Sequence, residues 1–324
     1  MNQNLTALGI VQKFGNSSLA YHKLQFDIRP SVFEDRVLIS YRRMGDHCYI
    51  LGDPVGPTEA LRPAIGNFLS RNPDSTWIQI NQRTADVLDE YGYYINCFGV
   101  ETKIDLPFSL TGKQKADVRL LCNAAKRNRV TIQEIYDRRL LFSHNQKLRI
   151  GYSRRKRPFS FLARPLEYRD EINTRIFGAY RNNQLVAFSL FDPIYENEKI
   201  VGYAESITQR LPDAPKGSRT LVLVEAMKQL HAEGIKRMEL GVSPYYKIKE
   251  HDQNSPYRKN FLTSVIFRSS YAYGDRFYSF QGLSFYKSRY RGEEQPVYFA
   301  GRKDFAVFDL LRIYKITTGT WYPF

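Results

Sequence analysis

The stretch FSLTGKQKADVRLLCNAAKRNRV, Phe108 to Val130, joins a glycine-lysine corner to basic side chains at helical spacing. Thr111-Gly112 ahead of Lys113 reads as a helix start, with the backbone turning freely at the glycine. The first N–H groups of such a helix are unpaired and carry partial positive charge, so they can receive an anion. Val118, Leu121, Cys122 and Ala125 would form an apolar stripe. Lys115, Arg119 and Lys126, at steps of four and seven, would form a basic line beside it. Such a line suits a ridge of phosphates better than one small ligand. A single Gly-Lys pair falls short of a phosphate-binding loop, so the same residues also read as the start of an ordinary surface helix.

The charge continues past the helix. From Lys113 to Arg157 there are 14 Lys and Arg against three acids (Asp117, Glu134, Asp137), a net +11 in a chain whose total is +15. This speaks of acidic partners (nucleic acid, anionic lipid or a polyanionic metabolite) and not of fold. It supplies salt-dependent affinity without sequence readout. Cys48, Cys97 and Cys122 have no paired spacing and no zinc-like histidine pattern nearby, which excludes a disulfide framework and suits a reducing cytoplasm. No stretch reaches the roughly 18 uninterrupted apolar residues of a membrane span, and the N-terminus lacks the plan of a signal peptide.

The elements that must position these residues follow a doubled plan. At 324 residues, and about 150 residues per domain, two domains are expected. RVLISYRR and HCYILGDPVG read as strands, PTEALRPAIGNFLSRN as a helix, TWIQI as a strand, ADVLDEYG as a short helix and INCFGVETKIDL as extended chain. Asp53 in the GDPVG turn reads as a turn organiser. The second half repeats the order. A hairpin turns at Asn182-Asn183, KIVGYAESITQR is a strand, SRTLVLVEAMKQLHAEG is a helix stopped by Gly234, and KRMELGVSP is a strand. In that helix Leu221, Val224, Met227 and Leu230 face one way, while His231 reads as a surface or capping residue. The fold class is mixed α/β, with a central sheet in each half.

Five separated pieces, in order, are LGDPVG, KIDLPFSLTGKQKADVR, LPDAPKGSRTLVLVEAMKQLHAEG, MELGVSP and GLSFYKSRYRGEEQPVYFAGR. Together they resemble the soluble catalytic domain of the lysylphosphatidylglycerol synthase (multiple peptide resistance factor) family, from about Phe14 to Lys303. The resemblance implies two GNAT-like domains in tandem, placed here at 1–130 and 131–324. The second would include a connecting basic segment at about 131–160 and a C-terminal tail. It implies transfer of an amino acid from aminoacyl-tRNA to a hydroxyl, typically of phosphatidylglycerol, with no cofactor beyond the aminoacyl-tRNA co-substrate and no metal. Family members often carry a membrane-spanning flippase in front, so only the transferase part is expected here.

A tRNA acceptor stem is a dense, shape-recognised polyanion. Its phosphates would lie on Lys115, Lys126, Arg127, Arg129, Arg154, Arg155, Lys156 and Arg157, with the chemistry where the two domains meet. The resemblance assigns Lys113, Arg119 and Arg289 to substrate binding and Lys287, in YKSRY, to stabilising charge on a phosphate or oxyanion. Where the family typically reads Asp-Leu-Met-Arg, this chain has Ser206-Ile207-Thr208-Gln209. Ser206 and Gln209 stand at the catalytic positions without charge. Glu205 and Arg210 flank them, but strand alternation turns each to the opposite face unless a bulge intervenes. Glu205 is either a general base or a paired strand carboxylate. Arg210, Tyr245 and Tyr246 are pocket candidates, the tyrosines equally core aromatics. A neutral Ser206 pairs poorly with a cationic aminoacyl side chain, so the resemblance does not point to lysine as the amino acid carried.

Two other readings remain at this level. One is an acyl-CoA-dependent N-acyltransferase, disfavoured because APKGSRT offers one glycine and no second. The other is a non-catalytic RNA- or lipid-binding module, favoured by the missing Asp and Arg. The tail FAVFDLLRIYKITTGTWYPF, with Phe305, Phe308, Leu311 and Tyr314 beside Arg312 and Lys315, reads either as a helix packed on the core or as a peripheral contact with an anionic membrane at its inner face.

Overall fold

The computed structural model describes residues 3–151, 160–276, 278–302 and 307–319. Its first half runs α1 (Gln3–Phe14), β1 (Arg29–Phe33), β2 (Val37–Met44), β3 (His47–Leu51), α2 (Thr58–Arg71), β4 (Ser75–Ile80), α3 (Gln82–Glu90) and β5 (Tyr94–Asp105). After α4 (Ala116–Arg127), β6 (Thr131–Glu134) and α5 (Arg139–Gly151) comes the second half. That half runs β7 (Arg175–Arg181), β8 (Gln184–Glu196), β9 (Lys199–Arg210), α6 (Ser218–Ala232), β10 (Arg237–Pro244), α7 (Ile248–Asn254), α8 (Phe261–Tyr273), α9 (Phe280–Ser288), β11 (Glu293–Gly301) and α10 (Val307–Thr318). In each half three antiparallel strands are followed by a helix and then a strand parallel to the third: β3 with β4, and β9 with β10. This repeated meander, helix and parallel strand is the GNAT-like plan in tandem.

The two halves do not keep separate sheets, and this corrects the expectation of one sheet per half. A single 11-stranded sheet has the order β1-β2-β3-β4-β11-β5-β10-β9-β8-β7-β6. β11, from the far end of the chain, lies between β4 and β5, and β5 in turn pairs with β10. Each half therefore lends a strand to the other.

The turns carry their expected chemistry. Asn182 and Asn183 both adopt positive φ (48° and 61°), the hairpin geometry that matches strand twist. The α6 stripe Leu221, Val224, Met227 and Leu230 is buried among residues of β7, β8 and β10. Asp53 accepts the Asn81 backbone N–H at 2.9 Å, tying its turn to the start of α3. The helix placed at Gly112 in fact begins at Ala116. Gly112 (φ +86°) instead precedes a single 3-10 turn, Lys113–Lys115. The tail forms α10, which packs Ile313 and Ile316 into the core, and its Asp309 accepts from the Tyr49 hydroxyl at 2.8 Å. Leu311 stays exposed and Phe305 lies outside the described residues. Among the described residues no helix is long and apolar enough to cross a membrane.

α4 meets α6 at a glycine. A Cβ on Gly217, itself at φ +90°, would stand 2.0 Å from the Leu121 carbonyl oxygen. Gly217→Ala is therefore expected to force α4 away and to cost roughly 2–4 kcal/mol. The urea midpoint measures this; a variant within about 0.5 kcal/mol of the parent would show that the two helices are not so closely seated.

Candidate active site

β9 and β10 pair only from Gly202–Arg237 to Ala204–Glu239, yet β9 runs on to Arg210 and β10 to Pro244. Beyond Ala204 the parallel strands part. Glu205 stands on one side of the gap. On the other, Lys287 of α9 reaches in and donates to the Val242 carbonyl at 2.6 Å. Gly241, at φ +67°, lies against the ammonium: a Cβ there would be 3.8 Å from Lys287 Nζ. The register of β10 on β5 shifts between Glu239 and Val242, so the backbone bends at the same place.

A bulge decides which β9 side chains enter this gap. Leu190 pairs with Ile207 but Phe191 pairs with Glu205, leaving Ser206 without a partner. Strict alternation would put Glu205 and Thr208 on opposite faces; the bulge puts them on one. The Ser189 hydroxyl donates to Glu205 Oε1 at 2.7 Å and lies 3.1 Å from the Thr208 hydroxyl, which accepts from Arg219 Nε at 3.1 Å. Arg219, in the first turn of α6, lies 4.4 Å over the Tyr286 ring, and the Tyr286 hydroxyl is 3.5 Å from Glu205 Oε2. Arg210, paired with Ala187, falls on the Glu205 side at the exposed strand end.

Ser206 and Gln209 are not brought to this group. The Ser206 hydroxyl turns away and donates to Asp192 Oδ2 at 2.5 Å. Asp192 is buried and pairs with Arg164 Nε at 2.8 Å, and Arg164 pairs with Glu171 at 2.6 Å. Burial pushes the Asp192 carboxyl up to about 6 against the opposing pull of Arg164 and Ser206. Gln209 pairs with Phe188 on that same far face.

The electrostatics of the gap are those of charges with little water. Burial pulls the Lys287 ammonium down to about 8, while Glu205 and Glu101 work in the opposite direction. Burial raises the Glu205 carboxyl above its ordinary range, opposed by Arg219, the Ser189 hydrogen bond and Lys287. Tyr286 is raised well above the ordinary phenol by burial and by Glu205.

The basic segment approaches the site through aromatic rings. Lys115 lies 4.2 Å over the Phe108 ring, Phe108 is 5.8 Å from the Tyr290 ring, and Tyr290 is 5.5 Å from Tyr286. Its cations have separate engagements. Arg119 donates to the Leu110 and Gly112 carbonyls, both at 2.6 Å, so its fork holds the loop. Lys126 pairs with Glu225 at 3.2 Å, on the rim of a groove of about 450 Å³ also lined by Lys228. Lys113, Arg127 and Arg129 are exposed, and Arg154, Arg155, Lys156 and Arg157 lie outside the described residues.

Tyr245 is a core ring, 4.9 Å from Phe267 and 5.3 Å from Phe98. Tyr246 is half-buried, its ring 6.1 Å from Tyr271. Arg289 packs 4.7 Å over Phe285. Sequence reasoning missed Ser189, Thr208, Arg219 and Tyr286. The available signals were that Thr208 stands within the Ser206–Gln209 element and that Arg219 and Tyr286 stand inside the quoted KGSRT and FYKSRY pieces. No group of three metal-ligating side chains occurs among the described residues.

Two strand-sharing GNAT-like units, with a carboxylate and a buried lysine where parallel strands part, define a tandem GNAT-like protein. The family described as "Phosphatidylglycerol lysyltransferase, C-terminal" matches residues 8–301, and the chain belongs to it. It is 23% identical over 291 residues to phosphatidylglycerol lysyltransferase of Bacillus subtilis (strain 168), covering 84% of this chain and 32% of that protein. It is 22% identical over 320 residues to that of Staphylococcus haemolyticus, covering 95% and 37%. The chain thus spans about a third of the length of the curated relatives it matches. The solved structure of L-PGS from Bacillus licheniformis superposes with a TM-score of 0.79 at 21% identity, covering 98% of this chain and 97% of that one. That likeness shows the fold.

The division of β9 into two faces has a direct consequence. Ser206→Ala removes a donor from a buried carboxylate and is expected to cost about 1.5 kcal/mol in urea denaturation. No change in stability would mean that Ser206 does not face Asp192.

Proposed function

We propose that the chain transfers an amino acid from aminoacyl-tRNA to a hydroxyl of phosphatidylglycerol or a related lipid, at the gap between β9 and β10. The observation that carries this reading is that α9 reaches both sides of the gap, its Lys287 donating to the Val242 carbonyl at 2.6 Å and its Tyr286 hydroxyl standing 3.5 Å from Glu205 Oε2. Family membership supports lipid aminoacylation, and the exposed Arg127 and Arg129 beside Lys126 support an RNA donor.

In this reading Glu205 takes the proton of the attacking hydroxyl as its oxygen bonds to the aminoacyl carbonyl carbon. The charge that develops on the carbonyl oxygen is met by the Lys287 ammonium. Collapse breaks the ester bond to the tRNA ribose, and the proton held by Glu205 passes to the departing ribose oxygen. No covalent enzyme intermediate is needed, because the donor ester is already activated. Arg219, Thr208 and Ser189 form a line of hydrogen bonds that fixes the Glu205 carboxylate, and Arg219 is thereby a positioning residue.

Incubating the protein with labelled aminoacyl-tRNA pools and a lipid extract should place label in lipid, and RNase pretreatment should remove it. Label delivered from acyl-CoA instead, or binding without turnover, would contradict the reading. Glu205→Gln should lower turnover by about 10²–10⁴-fold, measured as initial rate of lipid labelling; an unchanged rate would remove Glu205 from the chemistry.

Lys287 serves as a cation, so after correction for spontaneous ester hydrolysis the rate should fall as pH rises through about 8. Lys287→Arg should move that alkaline limb upward, because a guanidinium stays charged. A rate that instead climbs through this range would make the neutral amine the active form.

A further inference from the structure

Six of the fifteen large hydrophobic side chains that stand exposed among the described residues lie within 25 residues of one another: Phe261, Leu262, Val265, Tyr273, Tyr278 and Phe285. Phe261 is 81% exposed, Tyr273 82% and Phe285 62%. The cluster has a regular origin. On α8, Phe261, Leu262, Val265 and Tyr273 fall within one third of the helix circumference at 100° per residue. The opposite side of that helix sends Thr263, Ser264 and Phe267 inward. α8 is fastened to α9, because the Tyr271 hydroxyl is 2.9 Å from that of Ser284 and the Gln281 side chain donates to the Tyr271 carbonyl at 3.1 Å. α9 turns Phe285 outward and, two residues on, Lys287 inward to the gap.

The charge around this surface is mostly positive, with Arg268 3.5 Å from Asp252 and Lys287 turned inward. From Arg258 to Arg291 the sequence holds seven Lys and Arg (258, 259, 268, 276, 287, 289, 291) and a single acid, Asp275. Arg258, Arg268, Arg276 and Arg291 are exposed. Exposed aromatic and aliphatic side chains interleaved with arginines match the interfacial layer of an anionic bilayer, where rings sit at headgroup depth and cations meet lipid phosphates. Such a concentration of exposed apolar side chains is unusual on a face that meets only water.

We infer that the outer face of the α8–α9 pair is a membrane-docking surface that seats the chain on an anionic lipid bilayer beside the Lys287 gap. The inference deepens the proposed lipid acceptor: the helix whose Phe285 enters the interface is the one whose Lys287 reaches the reacting groups. The tail helix α10 is the weaker candidate, because Ile313 and Ile316 are used in the core and Leu311 alone is a large exposed apolar residue there among those described.

The test is co-sedimentation of the full chain with vesicles of phosphatidylcholine alone or of phosphatidylcholine with phosphatidylglycerol. Three variants accompany it: Phe261→Ser with Val265→Ser, Arg258→Gln with Arg276→Gln, and Leu311→Ser. The parent should bind phosphatidylglycerol vesicles at least tenfold more tightly than neutral ones. The first two variants should lose most of that binding with unchanged circular dichroism and thermal midpoint, and Leu311→Ser should keep it. Equal binding by the parent and the α8 pair variant would overturn the inference, as would loss confined to Leu311→Ser. Transfer to a short-chain, water-soluble phosphatidylglycerol separates the two proposals. The α8 variants should retain it, and its absence from the parent would defeat the lipid-acceptor reading whatever the vesicles show.

Discussion

An ammonium group removed from water must find its solvation inside the protein, and the arrangement around Lys287 follows from that need. Burying a charged amine without partners costs several kcal/mol. Here the Val242 carbonyl accepts from it, with Glu205 and Glu101 as the opposing charges. Val242 can serve because it lies beyond the point where β9 and β10 cease to pair. Gly241 at positive φ leaves the ammonium room, and the β9 bulge turns Glu205 toward the gap. Had the parallel strands stayed zipped, neither the lysine nor the carboxylate would have a place.

The shared sheet frames this gap. β10, which carries Val242, is flanked by β5 from the first half, and β5 is flanked by β11, which returns from the second. Glu101, on β5, pairs with Val242 and also faces Gln295 of β11. A strand from each half thus stands behind the lysine, so the site depends on both halves without lying in an open cleft between two sheets. α9 is held from the other direction, where the aromatic line Phe108, Tyr290 and Tyr286 joins it to the loop ahead of α4. The basic segment and the gap that holds Glu205 and Lys287 are in this way parts of one packed unit.

Much of the scaffold was legible because it is written in local patterns. Periodicity gave α6 and its buried stripe, Asn182-Asn183 gave the hairpin, and the doubled order of strands and helices gave the tandem plan. The fusion of the two sheets was not legible, since β11 joins β4 and β5 across some 200 residues of chain and nothing in EEQPVYFAG names its neighbours. The bulge was hidden for a similar reason. Alternation predicts that Glu205 and Ser206 oppose one another, and they do, but only the pairing with Phe191 shows that Thr208 and Arg210 join Glu205. Charge counting misled on Lys115, Arg119 and Lys126, which look alike in sequence. An aromatic ring, two carbonyls and a glutamate engage them in turn. The net charge of a segment says nothing of how much is already matched within the fold.

The central claim, that Lys287 is a water-poor cation facing Glu205, is tested most directly by titrating the lysine itself, with isotope-labelled lysine observed by NMR and Lys287→Arg assigning the resonance. The account predicts a midpoint near 8 in the parent protein and a lower one in Glu205→Gln, because the carboxylate favours the charged amine. A lysine that titrates at its ordinary value in both proteins would contradict it.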